Sequence, residues 1–177
     1  SNFNNHDLVR TELSGEYLWE IPNTNRWTVS IGGQTGWISN TKADSFFHFF
    51  AGGMPGLKGY PFYSLEGTNM AIGEMGLRVP LFREKHIPIG WFTLQHSTIG
   101  LIGQGGDAWN REKSNFKMKR SAGVEWRMSG ASFYNYPTSI GVEYHRGLDT
   151  FEMDIGDGNT IKYGYEDRFY FTILFGF

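Results

Sequence analysis

The stretch YGYEDRFYFTILFGF, residues 163–177, sets the period of the chain. Tyr163, Tyr165, Phe169, Phe171, Ile173, Phe175 and Phe177 hold odd positions, and only Asp167 interrupts them. Gly164, Glu166, Arg168, Tyr170, Thr172, Leu174 and Gly176 lie between. A step of two puts successive side chains on opposite faces of an extended strand. One face is therefore almost wholly aromatic and the other mixed.

The same period recurs upstream. Residues 8–21 set Val9, Leu13, Tyr17, Trp19 and Ile21 against Arg10, Glu12, Ser14, Glu16 and Glu20. Residues 27–38 set Trp27, Val29, Ile31 and Trp37 against Thr28, Ser30 and Gln34. Residues 69–81 set Ala71, Met75, Leu77, Val79 and Leu81 against Glu74 and Arg78. Residues 117–129 set Met118, Ala122, Val124, Trp126 and Met128 against Lys117, Lys119, Ser121, Glu125 and Arg127. Residues 139–148 set Ile140, Val142, Tyr144 and Leu148 against Ser139, Glu143 and His145. The segment 87–103 is apolar on both sides around Trp91 and Phe92. The pattern predicts roughly seven long strands of about 10 to 14 residues, where strands in soluble proteins average about 5 to 6. Turn-rich runs separate them at 21–26, 81–88, 105–115, 132–137 and 154–159. The longest connection is 39–68, and the chain reads as one domain, 1–177.

Composition narrows the class. Aromatics make up 17% of the 177 residues, glycine contributes 24, and charged residues are only 19%. The net charge of −2 is spread along the chain, with no basic stripe to suit nucleic acid. With no cysteine there is neither a disulfide framework nor a thiolate metal site. No run of about 18 apolar residues predicts a membrane-spanning helix, and SNFNNHDL lacks the form of a signal peptide. Strands of about 10 residues with a dyad repeat suit a tilted membrane-spanning strand. A soluble sandwich or a lipocalin-like barrel alternates in the same way. Two features favour the membrane. Gly32, Gly73, Gly76, Gly123 and Gly141 are assigned to polar faces, as a crowded lumen needs. Trp19, Trp27, Trp37, Trp91 and Trp126 gather near strand ends, as an interfacial girdle needs.

Residues 50–81, FAGGMPGLKGYPFYSLEGTNMAIGEMGLRVPL, carry a resemblance. They resemble the bacterial surface antigen barrel, the C-terminal domain of the BamA, TamA and two-partner-secretion superfamily. That family carries Gly-Gly and then Arg-Gly-Phe or Arg-Gly-Tyr in its sixth extracellular loop. A strand with Glu-x-x-x-Arg-x-Pro follows. Gly52, Gly53, Lys58, Gly59, Tyr60, Glu74, Arg78 and Pro80 match in order, with Leu57 opening the tetrad. Gly106 and Trp109 in IGQGGDAW, 102–109, match the end of the next strand. The last strand resembles the family's sorting signal at Tyr170, Phe171, Ile173, Phe175 and Phe177.

The resemblance implies an all-β, antiparallel transmembrane barrel. This chain would supply the last seven or eight strands of a larger barrel of about sixteen. It implies that 39–68 folds inward from the extracellular side, with its cation held by carboxylates on the strand walls. Here Lys58 stands for the usual Arg and Gln104 for the usual Asp, which predicts a Lys58–Glu74 pair and a looser lock. It also implies a bacterial outer-membrane location. The implied partners are the lipid bilayer, the barrel assembly machinery, the missing strands or another chain that supplies them, and client polypeptides.

No catalytic constellation is legible. His6, His48, His86, His96 and His145 are scattered, without metal-ligand spacing. There is no Gly-x-Ser-x-Gly elbow and no phosphate-binding loop. Asp154, Asp157 and Asn159 hint at a calcium loop but lack its full ligand set. The expectation is a barrel without enzymatic activity, metal or cofactor. It would insert or translocate polypeptides, or else serve as a passive pore or an anchor for an attached domain. A soluble binding barrel is the remaining alternative.

Overall fold

The computed structural model describes residues 8–40, 44–110, 115–133, 135–156 and 159–176. In chain order the strands are β1 (Arg10–Glu20), β2 (Thr28–Ile38), β3 (Phe49–Phe50), β4 (Glu66–Gly67), β5 (Asn69–Phe82) and β6 (Ile87–Ile89). They continue as β7 (Phe92–Trp109), β8 (Lys119–Ser132), β9 (Tyr136–Gly147), β10 (Phe151–Gly156), β11 (Asn159–Tyr163) and β12 (Asp167–Phe175). Single 3-10 turns at Ser45–Phe47 and Phe62–Ser64 lie in the long loop.

Seven long strands form one sheet in the order β1-β2-β5-β7-β8-β9-β12, with short β6 added beside β7. Every pairing in it is antiparallel. The expected all-β antiparallel fold is present. The sheet is open, with β1 and β12 as its edges among the described residues.

Several expectations need correction. The alternation over 163–177 runs through a bend: Tyr163 ends the β10–β11 hairpin, and β12 starts at Asp167. Gly164 at φ 124° and Tyr165 at φ 58° make that bend, so Tyr163, whose ring lies 5.6 Å from that of Phe151, does not share a sheet with Phe169 and Phe171. The turn expected at 154–159 joins this hairpin, but the short alternation of Phe151 and Met153 with Ile161 and Tyr163 on either side of it was not among the expected strands. The segment 87–103 holds the β6–β7 turn at Gly90 and Trp91, after which β7 continues for 18 residues, past the turn expected from 105. Gly73 belongs with Met75 on the apolar face, since Glu74 faces the other way. Trp126 lies midway along β8 rather than near its end. Phe177 and Asp157 fall outside the described residues.

The two faces differ. One is bare and apolar, exposing Tyr17, Ile31, Met75, Leu101, Trp126, Val142 and Phe171, one from each long strand. The other is covered by 39–68. There Ile38, Phe49, Ala51, Leu57, Tyr60, Leu65, Met70 and Ala108 form the hydrophobic core. The two ends differ as well. Short turns join strands at one end, where Trp19, Trp27, Trp91, Phe133 and Tyr136 are exposed, and Trp91 stacks on Phe133 at 5.3 Å. The long connections lie at the other end.

The β3–β4 ribbon rests on the end of β7, and Gly67 is what allows it. A Cβ there would lie 2.3 Å from the Trp109 backbone nitrogen and 2.4 Å from its carbonyl. Backbone cannot yield to such a contact. Gly67→Ala is expected to cost about 1–3 kcal/mol, the usual scale of overpacking. Denaturant melts would register it as a lower midpoint; an unchanged midpoint would contradict the packing.

Candidate functional site

The GGMPGLKGYP segment, 52–61, is a tight knot rather than a slack tip. Leu57 N–H donates to the Ala51 carbonyl at 2.7 Å, and Gly53 N–H to the Tyr60 carbonyl at 2.9 Å. Gly53 takes φ 76°, a left-handed conformation that glycine adopts without strain. Leu57 and Tyr60 are fully buried, so the knot is seated by an aliphatic and an aromatic side chain flanking Lys58. Gly59 presses onto the sheet: a Cβ there would lie 2.6 Å from the Gly147 nitrogen and 2.7 Å from the Ser121 Cβ.

Lys58 is held from three strands. Its Nζ donates to Glu143 Oε2 at 2.5 Å, from β9. Its backbone N–H donates to Gln104 Oε1 at 2.9 Å, from β7. Its carbonyl accepts from the Tyr170 hydroxyl at 2.8 Å, from β12. The expected Lys58–Glu74 pair is replaced by Lys58–Glu143. Parity placed Glu74 and Glu143 on the same face, but the choice between them depended on how far across the sheet the loop reaches.

Glu74 is engaged elsewhere, and Gln104 explains how. Gln104 Nε2 donates to Glu74 Oε2 at 2.7 Å and to the Gly56 carbonyl at 2.9 Å. Its Oε1 accepts from Lys58 N–H and from Ser121 Oγ, both at 2.9 Å. All four bonding positions of the amide are used. An aspartate could accept at this position but could not donate. Of the two replacements behind the looser lock, Lys58 for Arg and Gln104 for Asp, the second leaves no bonding position of its side chain idle.

Arg78 bonds to the sheet wall. It joins Glu125, and its Nη1 lies 3.4 Å from Ser30 Oγ. Glu125 also accepts from Arg127 at 3.0 Å, and Arg127 reaches Glu143 at 3.5 Å. His145 Nε2 lies 3.1 Å from Glu143 Oε2. The series Arg78, Glu125, Arg127, Glu143, Lys58 thus crosses the covered face, with Glu125 only 2% exposed. Glu125, Arg127, Glu143 and His145 were missing from the expected set. Their signal was parity on neighbouring strands, and the i, i+2 spacing of Glu143 and His145.

Tyr60 fixes the far side of the knot. Its hydroxyl lies 2.9 Å from the Arg120 carbonyl and 3.0 Å from that of Asp149, and it accepts from Asp149 N–H at 3.0 Å. Burial pushes the Tyr60 hydroxyl pKa up, so it stays protonated. Arg120 donates twice to the Asp149 carboxylate, at 2.8 and 3.0 Å. Those bonds hold the Asp149 pKa below its ordinary value. Of the residues expected at the chain end, Tyr170 joins the site, while Phe171, Ile173 and Phe175 face away on the bare side. Among the described residues no group of three His, Asp or Glu is placed to hold a metal.

Comparison with family models, with curated proteins and with solved structures returns no match. The anchor is defined by its geometry, and substitution tests it. Lys58→Ala is expected to cost about 2 kcal/mol, the scale of a charge-assisted hydrogen bond. Gln104→Asp should cost about 1–3 kcal/mol, because two donors vanish and a second carboxylate joins Glu74. Thermal melts and limited proteolysis within 39–68 would report both; wild-type behaviour of both variants would refute the anchor.

The Asp149 clamp has its own signature. A depressed folded-state pKa gives stability that is whole above the ordinary carboxylate range and disappears as pH falls through the depressed value. Asp149→Asn should therefore flatten the loss of stability between about pH 5 and pH 1. Superimposable acid titrations of the two chains would show that the clamp contributes nothing.

Proposed function

We propose that this chain is part of an outer-membrane β-barrel that inserts or translocates polypeptides at a bacterial outer membrane. One observation carries the reading: a single sheet is apolar on its bare face and ionic on its covered face. Exposed apolar patches on soluble monomers rarely exceed a few hundred Å². A bare face drawn from seven long strands goes beyond isolated surface residues, and in lipid it is the surface each spanning strand must present. The strands run from 9 to 18 residues, and spanning needs about 9 to 11. The aromatic collar at the short-turn end suits an interfacial belt.

In this reading the covered face lines the lumen, and Lys58 braces the wall beside the terminal strand. The unpaired edge of β12 is a seam where a client strand can pair. Barrel assembly machinery would read Phe171, Ile173 and Phe175 on the outer face. A second reading, a passive pore or an anchor, is favoured by one observation. The loop is bonded to strands across the sheet, β7, β8, β9 and β12 among them, which suits a fixed plug.

Flotation with phosphatidylcholine vesicles tests the membrane placement: the chain is expected to rise with the lipid. A folded monomer in plain buffer that stays out of vesicles would overturn it. Vesicles carrying the barrel should then speed the folding of an added unfolded outer-membrane protein. Steady conductance without that acceleration selects the pore.

A further inference from the structure

We infer that the free edge of β1 docks an antiparallel strand bearing a lysine or arginine opposite Glu16. This rests on the barrel reading for its setting and on three observations for its content. The first is the edge itself. Among the described residues, β1 is 11 residues long and hydrogen-bonded on one side alone. A bare row of N–H and C=O groups is a template for another strand.

The second is charge. In the sheet register Glu16 lies opposite Gly32, and Gly32 opposite Glu74. The same spacing occurs at Arg78, Gly100 and Glu125. There the central glycine lets an arginine reach a carboxylate one strand beyond its neighbour. At Glu16 the glycine gap has a carboxylate on both sides and, among the described residues, no cation. A cavity of about 360 Å³ occupies that space, lined by Glu16, Gly32, Glu74, Gln104 and Gly56 among others. Glu12 is bonded to Gln34 and paired with Arg10, and Glu20 lies 4.0 Å from Arg26. Glu16, midway along the strand, has no such partner among the described residues. Glu16 is exposed, and a docked strand that covers it would have to supply its counter-charge.

The third is parity. Six successive antiparallel pairings make β1 and β12 run in the same direction. A second copy closing head to tail in the same orientation would join β1 to β12 in parallel, unlike every other pairing in the sheet. A two-fold pairing of β1 with β1 of a second copy would be antiparallel, but β1 carries one cation, Arg10, and that is paired with Glu12. In a closed barrel the occupant is therefore a different segment, one that supplies an odd number of long strands. Its strand beside β1 is basic toward the cavity and apolar toward the bare face.

The test uses the full chain and two fluorescent peptides of alternating Lys–Leu and Glu–Leu sequence, with a shuffled Lys–Leu peptide as composition control. Binding is measured by anisotropy both in buffer and in detergent micelles, so the edge is tested whatever the flotation result. The Lys–Leu peptide is expected to bind most tightly. Glu16→Gln should weaken it about tenfold, the scale of one half-buried ion pair. Glu16→Lys should reverse the preference toward Glu–Leu, while Glu84→Gln, in the turn between β5 and β6, should change nothing. Equal binding of all three peptides, or a preference unmoved by Glu16→Lys, would overturn the proposal. So would dimerisation in the ultracentrifuge that excludes the peptide. Failure of flotation alone would overturn the membrane setting and leave the peptide result to decide the edge.

Discussion

The organisation of the covered face follows from one constraint: Lys58 is carried away from bulk water and must be paired there. Glu143 meets it at 2.5 Å, but Glu143 is itself only 6% exposed and needs more than one donor. Arg127 and His145 supply them. Arg127 then shares Glu125 with Arg78. Glu74 closes the set through Gln104, so Lys58, Arg78 and Arg127 stand against Glu74, Glu125 and Glu143. A neutral Gln104 keeps that balance. An aspartate there would tip it toward negative charge and remove the donors that hold Glu74 and the Gly56 carbonyl.

Glycine makes the network possible. Strands lie about 4.7–4.9 Å apart, so a side chain reaching past its neighbouring strand needs that neighbour to be bare. Gly100 stands between Arg78 and Glu125, and a Cβ there would lie 2.6 Å from Glu125 Oε1. Gly123 gives His145 its place, with a Cβ position 2.3 Å from its Nδ1. Gly147 admits the Tyr60 ring, which would lie 2.8 Å from an added Cβ. The glycine content thus answers to side-chain reach as much as to turns.

Long strands were legible because alternation is a local property. Tyr17, Ile31, Met75, Val124 and Phe171 fell on one face in the sequence and do so in the sheet. Residues 87–103 resisted because the β6–β7 hairpin is apolar on both strands, and a bulge between Leu94 and His96 shifts the register. The Lys58 tetrad was legible as a site, and Gln104 and Glu74 as its neighbours. Its counter-charge was not. Lys58 and Glu143 are 85 residues apart, and their meeting depends on how far the loop lies across the sheet. Periodicity specifies a face; it carries no information on which of several carboxylates on that face a loop will reach.

The two faces together are the observation on which the proposed lipid-facing barrel rests. A soluble sandwich buries its apolar face against a second sheet and gives its polar face to water. Here the relation is inverted. Glu125, Glu143 and His145 are covered, at 2%, 6% and 0% exposure. Phe171 and Tyr17 stand open at 65% and 68%. Covering a charged face is costly unless each charge is matched, and the network above matches them. Baring an aromatic face is costly in water alone. A setting apolar outside the sheet and polar within it would meet both demands, and that is what the proposed barrel would provide.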